Sequence, residues 1–129
     1  MPARAFLPWP DKRLRTAAAP VTEITDEIRE IWDDMVASME AMPGQGVGLA
    51  APQIGVGLRL AVVDASDTRG QVVHMANPEV IDASAEMNTH EEASPNLPGL
   101  SARIKRPAKV VVRYLDAYGM LMRKEFEGL

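Results

Sequence analysis

Cysteine is absent from the 129 residues, and histidine occurs only twice, as His74 and His90. The first absence excludes disulfides and thiolate metal ligands. The second leaves little imidazole for acid–base chemistry or for a metal cage. No apolar run is long enough to span a bilayer. The first ten residues carry Arg4 and three prolines, but no apolar core of signal-peptide length. Charge of one sign is also scarce: 14 basic against 18 acidic residues leave a net −4. That balance gives no electrostatic reason to expect nucleic acid or an anionic membrane surface. A cytoplasmic protein is the default expectation.

What is present is an ordinary globular composition, 47% hydrophobic and 25% charged, sized for a single domain over 1–129. Met1 to Pro20 is punctuated by proline and reads as an extended wrap. Over Thr25 to Met42 the pattern becomes helical. Ile28, Ile31, Trp32, Met35, Met39 and Met42 recur at spacings of three and four and form one apolar stripe. Thr25 is placed to cap this helix, Asp26 and Glu27 suit its positive end, and Pro43-Gly44 stops it. The rest reads as strands: Leu58 to Asp64, Gln71 to Ala76, Val80 to Met87, Arg103 to Arg106 and Lys109 to Leu115. Met120 to Phe126 returns after an Asp116-Ala117-Tyr118-Gly119 turn. One early helix followed by antiparallel strands predicts an α+β fold.

The segment Gly46-Val47-Gly48-Leu49-Ala50-Ala51-Pro52-Gln53 allows three readings. It satisfies the loose dinucleotide pattern GxGxx(G/A), yet that pattern needs a strand before it and a helix opening within it. Here a helix precedes, and Pro52 would interrupt a second helix near its first turn. A second reading is a glycine loop that merely turns the chain. A third is an extended edge stripped of side chains on one face, on which another backbone can pair as an added strand.

As a whole the octet resembles the first signature of the peptide deformylases, metal hydrolases that remove formyl groups from the N-termini of nascent bacterial proteins. Phe6 to Arg15 resembles that family's N-terminal strand, Ala76-Asn77-Pro78 its "N-P" step, and Glu91 to Pro107 its second signature. The resemblance implies the family's fold and an active-site loop in which Gly46, Gly48 and Leu49 bind an N-terminal peptide, with Ser94 to Leu97 opposite. It also implies that Gln53 donates to the formyl oxygen. Glu92 stands for the signature glutamate and Ala93 for its glycine. Ser94 stands for the metal-binding cysteine, Pro95 for the leucine whose N–H helps to hold the oxyanion, and Asn96 for the serine. Arg106 stands for the arginine that pairs with the glutamate.

Active members carry iron, zinc or nickel on that cysteine and on two histidines of an HExxH helix. Here a serine hydroxyl is a poor ligand for such an ion. Proline has no N–H to donate, and loss of one oxyanion donor costs about 3–4 kcal/mol in the transition state. Phe126-Glu127-Gly128-Leu129 resembles the "E-G-L" that precedes the HExxH helix, so this reading loses two ligands by truncation and one by substitution. The expectation is a metal-free, inactive deformylase-like chain with at most a peptide groove. Two rivals stay open: a true deformylase given as an incomplete chain, and a plain binding or structural module. His90 beside Glu91 and Glu92 makes a poor substitute metal site, because strand neighbours face opposite ways; a solvated polar cluster is expected there. His74 is expected at the surface or an edge. An absent helix would leave an apolar sheet face open and favour homo-oligomers.

Overall fold

The computed structural model describes residues 4–42, 47–64 and 71–127. Helix α1 covers Asp26–Glu40, and Thr25 Oγ accepts from the Ile28 N–H at 3.2 Å. The apolar stripe lies where its spacing puts it. Trp32, Met35 and Met39 are at most 1% exposed and pack on Leu49, Leu60, Val62 and Ala76. Each such side chain contributes roughly 1.5–3 kcal/mol of burial. The expected Pro43-Gly44 stop and the polar turn before Gln71 lie outside the described residues.

Among the described residues seven strands follow: β1 (Gly48–Ala50), β2 (Leu60–Val63), β3 (Val73–Ala83), β4 (Met87–Ala93), β5 (Ser101–Pro107), β6 (Lys109–Leu115) and β7 (Leu121–Glu127). Five make one antiparallel sheet in the order β1-β2-β3-β6-β7, and β4 and β5 pair separately as a hairpin. Alternation divides the residues of the large sheet. Leu60, Val62 and Ala76 face α1, whereas Val63, Met75, Val110, Val112 and Tyr114 form a second cluster on the other face.

Three expectations need correction. Gln71 to Ala76 and Val80 to Met87 are not two strands: β3 runs from Val73 through Ala83. Its register with β6 shifts between Ala76 and Glu79 and again before Asp82. Asn77, at a left-handed φ of 52°, absorbs the first shift. Irregularities of this kind let Asn77-Pro78 sit within a strand without ending it. The Asn77 carboxamide also pins the N-terminal strap, accepting from the Val21 N–H at 2.7 Å and donating to its carbonyl at 2.8 Å. The second correction concerns Met87 to Ala93, which is a strand in its own right. The third is the strap itself, which contains a 3-10 turn at Lys12–Arg15 capped by Asp11.

Candidate active site

The site is built where β1 gives way to a tight turn. Ala51–Ile54 forms a 3-10 turn with Pro52 near its start, and Gly55 closes it at a φ of 86° that favours glycine. The turn folds Gln53 back on the strand, and the Ala50 N–H donates to Gln53 Oε1 at 2.9 Å. Gln53 Nε2 then points to the loop after β4. It donates to Asn96 Oδ1 at 2.8 Å and lies 3.5 Å from Ser94 Oγ. Two segments some 40 residues apart in the chain thus meet through one carboxamide.

β1 is an edge strand. The Asp64 N–H donates to the Val47 carbonyl at 2.8 Å, and Leu49 lies opposite Val62. The alternation of an antiparallel ladder then turns the N–H and C=O of Gly48 away from β2. Among the described residues no strand lies against that edge. A Cβ at Gly48 would meet Val62 O at 3.7 Å and Val63 Cγ2 at 4.0 Å, which is ordinary contact. Packing on β2 therefore does not require glycine here. The Leu49 side chain is 3% exposed and belongs to the helix-packed core. That removes it as a side-chain contact for a ligand. Gly46 lies outside the described residues.

Ser94 Oγ is 3.3 Å from both Asn96 Oδ1 and Asn96 N. Its neighbours are amides, which cannot take a proton from it, so no serine nucleophile is set up. Pro95 comes next in the turn and has no N–H to offer. Leu97 opens onto a separate hollow of about 440 Å³, shared with Ala93, Ser94, Leu100 and Ile104. Glu92 is gripped at both oxygens by Arg106, at 2.9 and 2.8 Å. The guanidinium holds the Glu92 carboxyl below the usual range, against a smaller opposing effect of desolvation.

Behind this pair, between the β4–β5 hairpin and the second face of the large sheet, lies a cavity of about 660 Å³. Val47, His90, Glu92, Arg106, Val110 and Phe126 contribute to its walls. His90 is not part of a solvated cluster as expected. Its Nε2 is buried without a hydrogen-bond partner. Nor is His74 at the surface: it is partly buried, its ring edge-on to Trp32 with centroids 5.6 Å apart. Burial pushes its imidazole below the ordinary histidine value, with Asp33 opposing.

Among the described residues no three His, Asp or Glu side chains converge as a metal site. Around Ser94 the donors are a hydroxyl and two neutral carboxamides, a set that does not fit a transition ion. Sequence reasoning placed Asn96 in the second signature on the wall opposite the octet, but gave it no role of its own. Its signal was a polar departure inside the second signature, flanked by Pro95 and Leu97.

Comparison with known proteins agrees with the geometry. The family model described as polypeptide deformylase matches residues 3–129. A peptide deformylase of Rhodopseudomonas palustris (strain BisB5) is 42% identical over 137 residues, covering all of this chain and 75% of the relative. A peptide deformylase-like protein of Brucella melitensis is 36% identical, and the match covers 77% of its length. Among solved structures, the Legionella pneumophila peptide deformylase is 36% identical with a TM-score of 0.89, over 98% of this chain and 73% of that one. The Ehrlichia chaffeensis enzyme in complex with actinonin gives 0.91 at 31% identity, over 99% and 77%. With an α+β architecture, antiparallel sheets and the octet at the edge strand, the chain belongs to the polypeptide deformylase family.

Proposed function

We propose that this chain is a peptide-deformylase-like protein that holds the N-terminal end of an extended peptide and is impaired in hydrolysis. The observation that carries the reading is the free edge at Gly48 beside the Gln53 carboxamide. An added strand pairs with the main chain of Gly48, and the terminal carbonyl of the peptide then lies near Gln53 Nε2 and Ser94 Oγ. The absence of a side chain at Gly48, which packing on β2 does not demand, suits a ligand backbone approaching from outside. Leu97 supplies an apolar contact beyond Ser94. The actinonin complex of the Ehrlichia chaffeensis relative supports a ligand groove in this fold.

The impairment arises from residues inside the chain, whatever sequence lies beyond them. Ser94 replaces a thiolate by a hydroxyl that competes poorly for a transition ion. Pro95 removes an oxyanion donor, at a cost of about 3–4 kcal/mol if nothing replaces it. Glu92 and Arg106 keep the loop in shape. We further propose a cytoplasmic location, nascent-chain N-termini as partners, and self-association through the open sheet face. Among the described residues no helix is long and apolar enough to cross a membrane.

A second reading is an active metal-dependent deformylase, favoured by 42% identity to a protein of that name. One experiment separates the two. Formyl-Met-Ala-Ser is titrated onto the protein, and formate release is assayed with added zinc, iron, cobalt or nickel. Saturable binding without turnover is expected; metal-dependent formate release establishes the second reading.

A further inference from the structure

Asn96 is 4% exposed, and each polar atom of its side chain is engaged. Nδ2 donates to the Leu7 carbonyl at 2.7 Å and to the Gln53 carbonyl at 2.9 Å. Oδ1 accepts from Gln53 Nε2 at 2.8 Å, and the Asn96 carbonyl accepts from the Trp9 N–H at 2.9 Å. Buried carboxamides are held this fully when their orientation matters to the packing around them.

The backbone at each end settles which atom is which. The Ala50 N–H requires an oxygen, so Gln53 presents Oε1 there and Nε2 on its other side. Nε2 in turn requires an acceptor, so Asn96 presents Oδ1. That leaves Nδ2 facing two main-chain carbonyls, which only a donor satisfies. Reversing either amide would set donor against donor and oxygen against oxygen. Gln53 is therefore oriented from both ends, by Ala50 and by Asn96.

A carboxamide nitrogen carries two hydrogens. One is committed to Asn96. The other has only the 3.5 Å contact with Ser94 Oγ, at the long limit of a hydrogen bond. We infer that Asn96 is the positioning residue of this site: it fixes the Gln53 carboxamide so that one N–H stays directed at an incoming carbonyl oxygen. Resting on the proposed peptide groove, this makes the ligand class an N-acylated terminus. A protonated free amine in the same place would oppose N–H with N–H, and the fixed carboxamide cannot turn over to receive it.

The test uses the 129-residue chain, labelled with ¹⁵N. In the native protein the two Gln53 side-chain amide hydrogens are expected to be resolved, rigid and slowly exchanging. In Asn96→Ser and Asn96→Ala their shifts, order parameters and exchange rates move to those of an unrestrained glutamine side chain. The preference for formyl-Met-Ala-Ser over Met-Ala-Ser falls about tenfold in the alanine variant, the effect of one hydrogen bond. A mobile Gln53 amide in the native chain overturns the inference without any variant. So does a folded Asn96→Ala protein that keeps both the signature and the preference. A rigid Gln53 amide that is lost in Asn96→Ser supports the positioning role even if neither peptide binds, and in that case the peptide reading fails alone.

Discussion

Arg106 reaches along the β4–β5 hairpin to Glu92. In the ladder Arg106 pairs with Asn88 and Glu92 with Ala102, a separation of four positions, and His90 lies between them opposite Ile104. The ion pair thus spans the wall of the large cavity that His90 also lines. Replacing Arg106 by methionine removes the contact that depresses the Glu92 carboxyl. Its titration, followed by carboxyl ¹³C NMR, should return towards the ordinary glutamate range. The sign is that of a depressed acid: the pair contributes above that range and is lost as pH falls through the lowered value. Because Arg106 is exposed and Glu92 only half-buried, high salt should weaken it.

Helix α1 anchors the core through methionine. Met35 is fully buried among Trp32, Leu60 and Val62, and Met35→Ala should destabilise the protein by about 2–5 kcal/mol. Removal of the cap by Thr25→Ala should cost about 0.5–2 kcal/mol. Urea unfolding followed by tryptophan fluorescence measures both. Equal midpoints for native and M35A proteins would contradict this packing.

His74 gives the fold a pH slope on the acid side of neutrality. Its imidazole is held below the ordinary value of 6.5 by burial beside Trp32. Between the lowered folded value and 6.5 the unfolded chain binds the proton more readily, so stability rises with pH across that window. It should fall as pH drops below 6.5. His74→Phe, which keeps an aromatic edge against Trp32, should flatten the slope just below pH 6.5 in urea titrations.

Much of the fold is legible in the sequence, for identifiable reasons. The stripe from Ile28 to Met39 carries a helical period along α1, and Lys109 to Leu115 is a β-branched run closed by a glycine turn. Both signals are local. β3 reads as two strands because Asn77-Pro78 looks like a break, and only its partners β6 and Val21 show that a bulge absorbs it. The octet announces an edge loop, but alternation within β1 turns Leu49 inward and Gly48 outward, which depends on β2. Asn96 is least legible, since its partners come from Leu7, Trp9 and Gln53, far away in the chain.

The second face of the large sheet bears on self-association. Val110, Val112, Tyr114 and Phe126 line it, with the cavity of about 660 Å³ between this face and the hairpin. At its margins Val80 is 61% exposed and Met122 39%. If these exposed apolar side chains serve as the proposed self-association surface, a second copy would cover them. Light scattering after size exclusion should show association that increases with concentration, and an apolar dye should bind the dilute protein. Val110→Lys puts a charge in the middle of the face, where burial by a second copy would strand it unpaired. That variant should shift the equilibrium to monomer while leaving the α1 side of the core intact. A native chain that elutes as a clean monomer at all concentrations, without dye binding, would show that the face is covered from within.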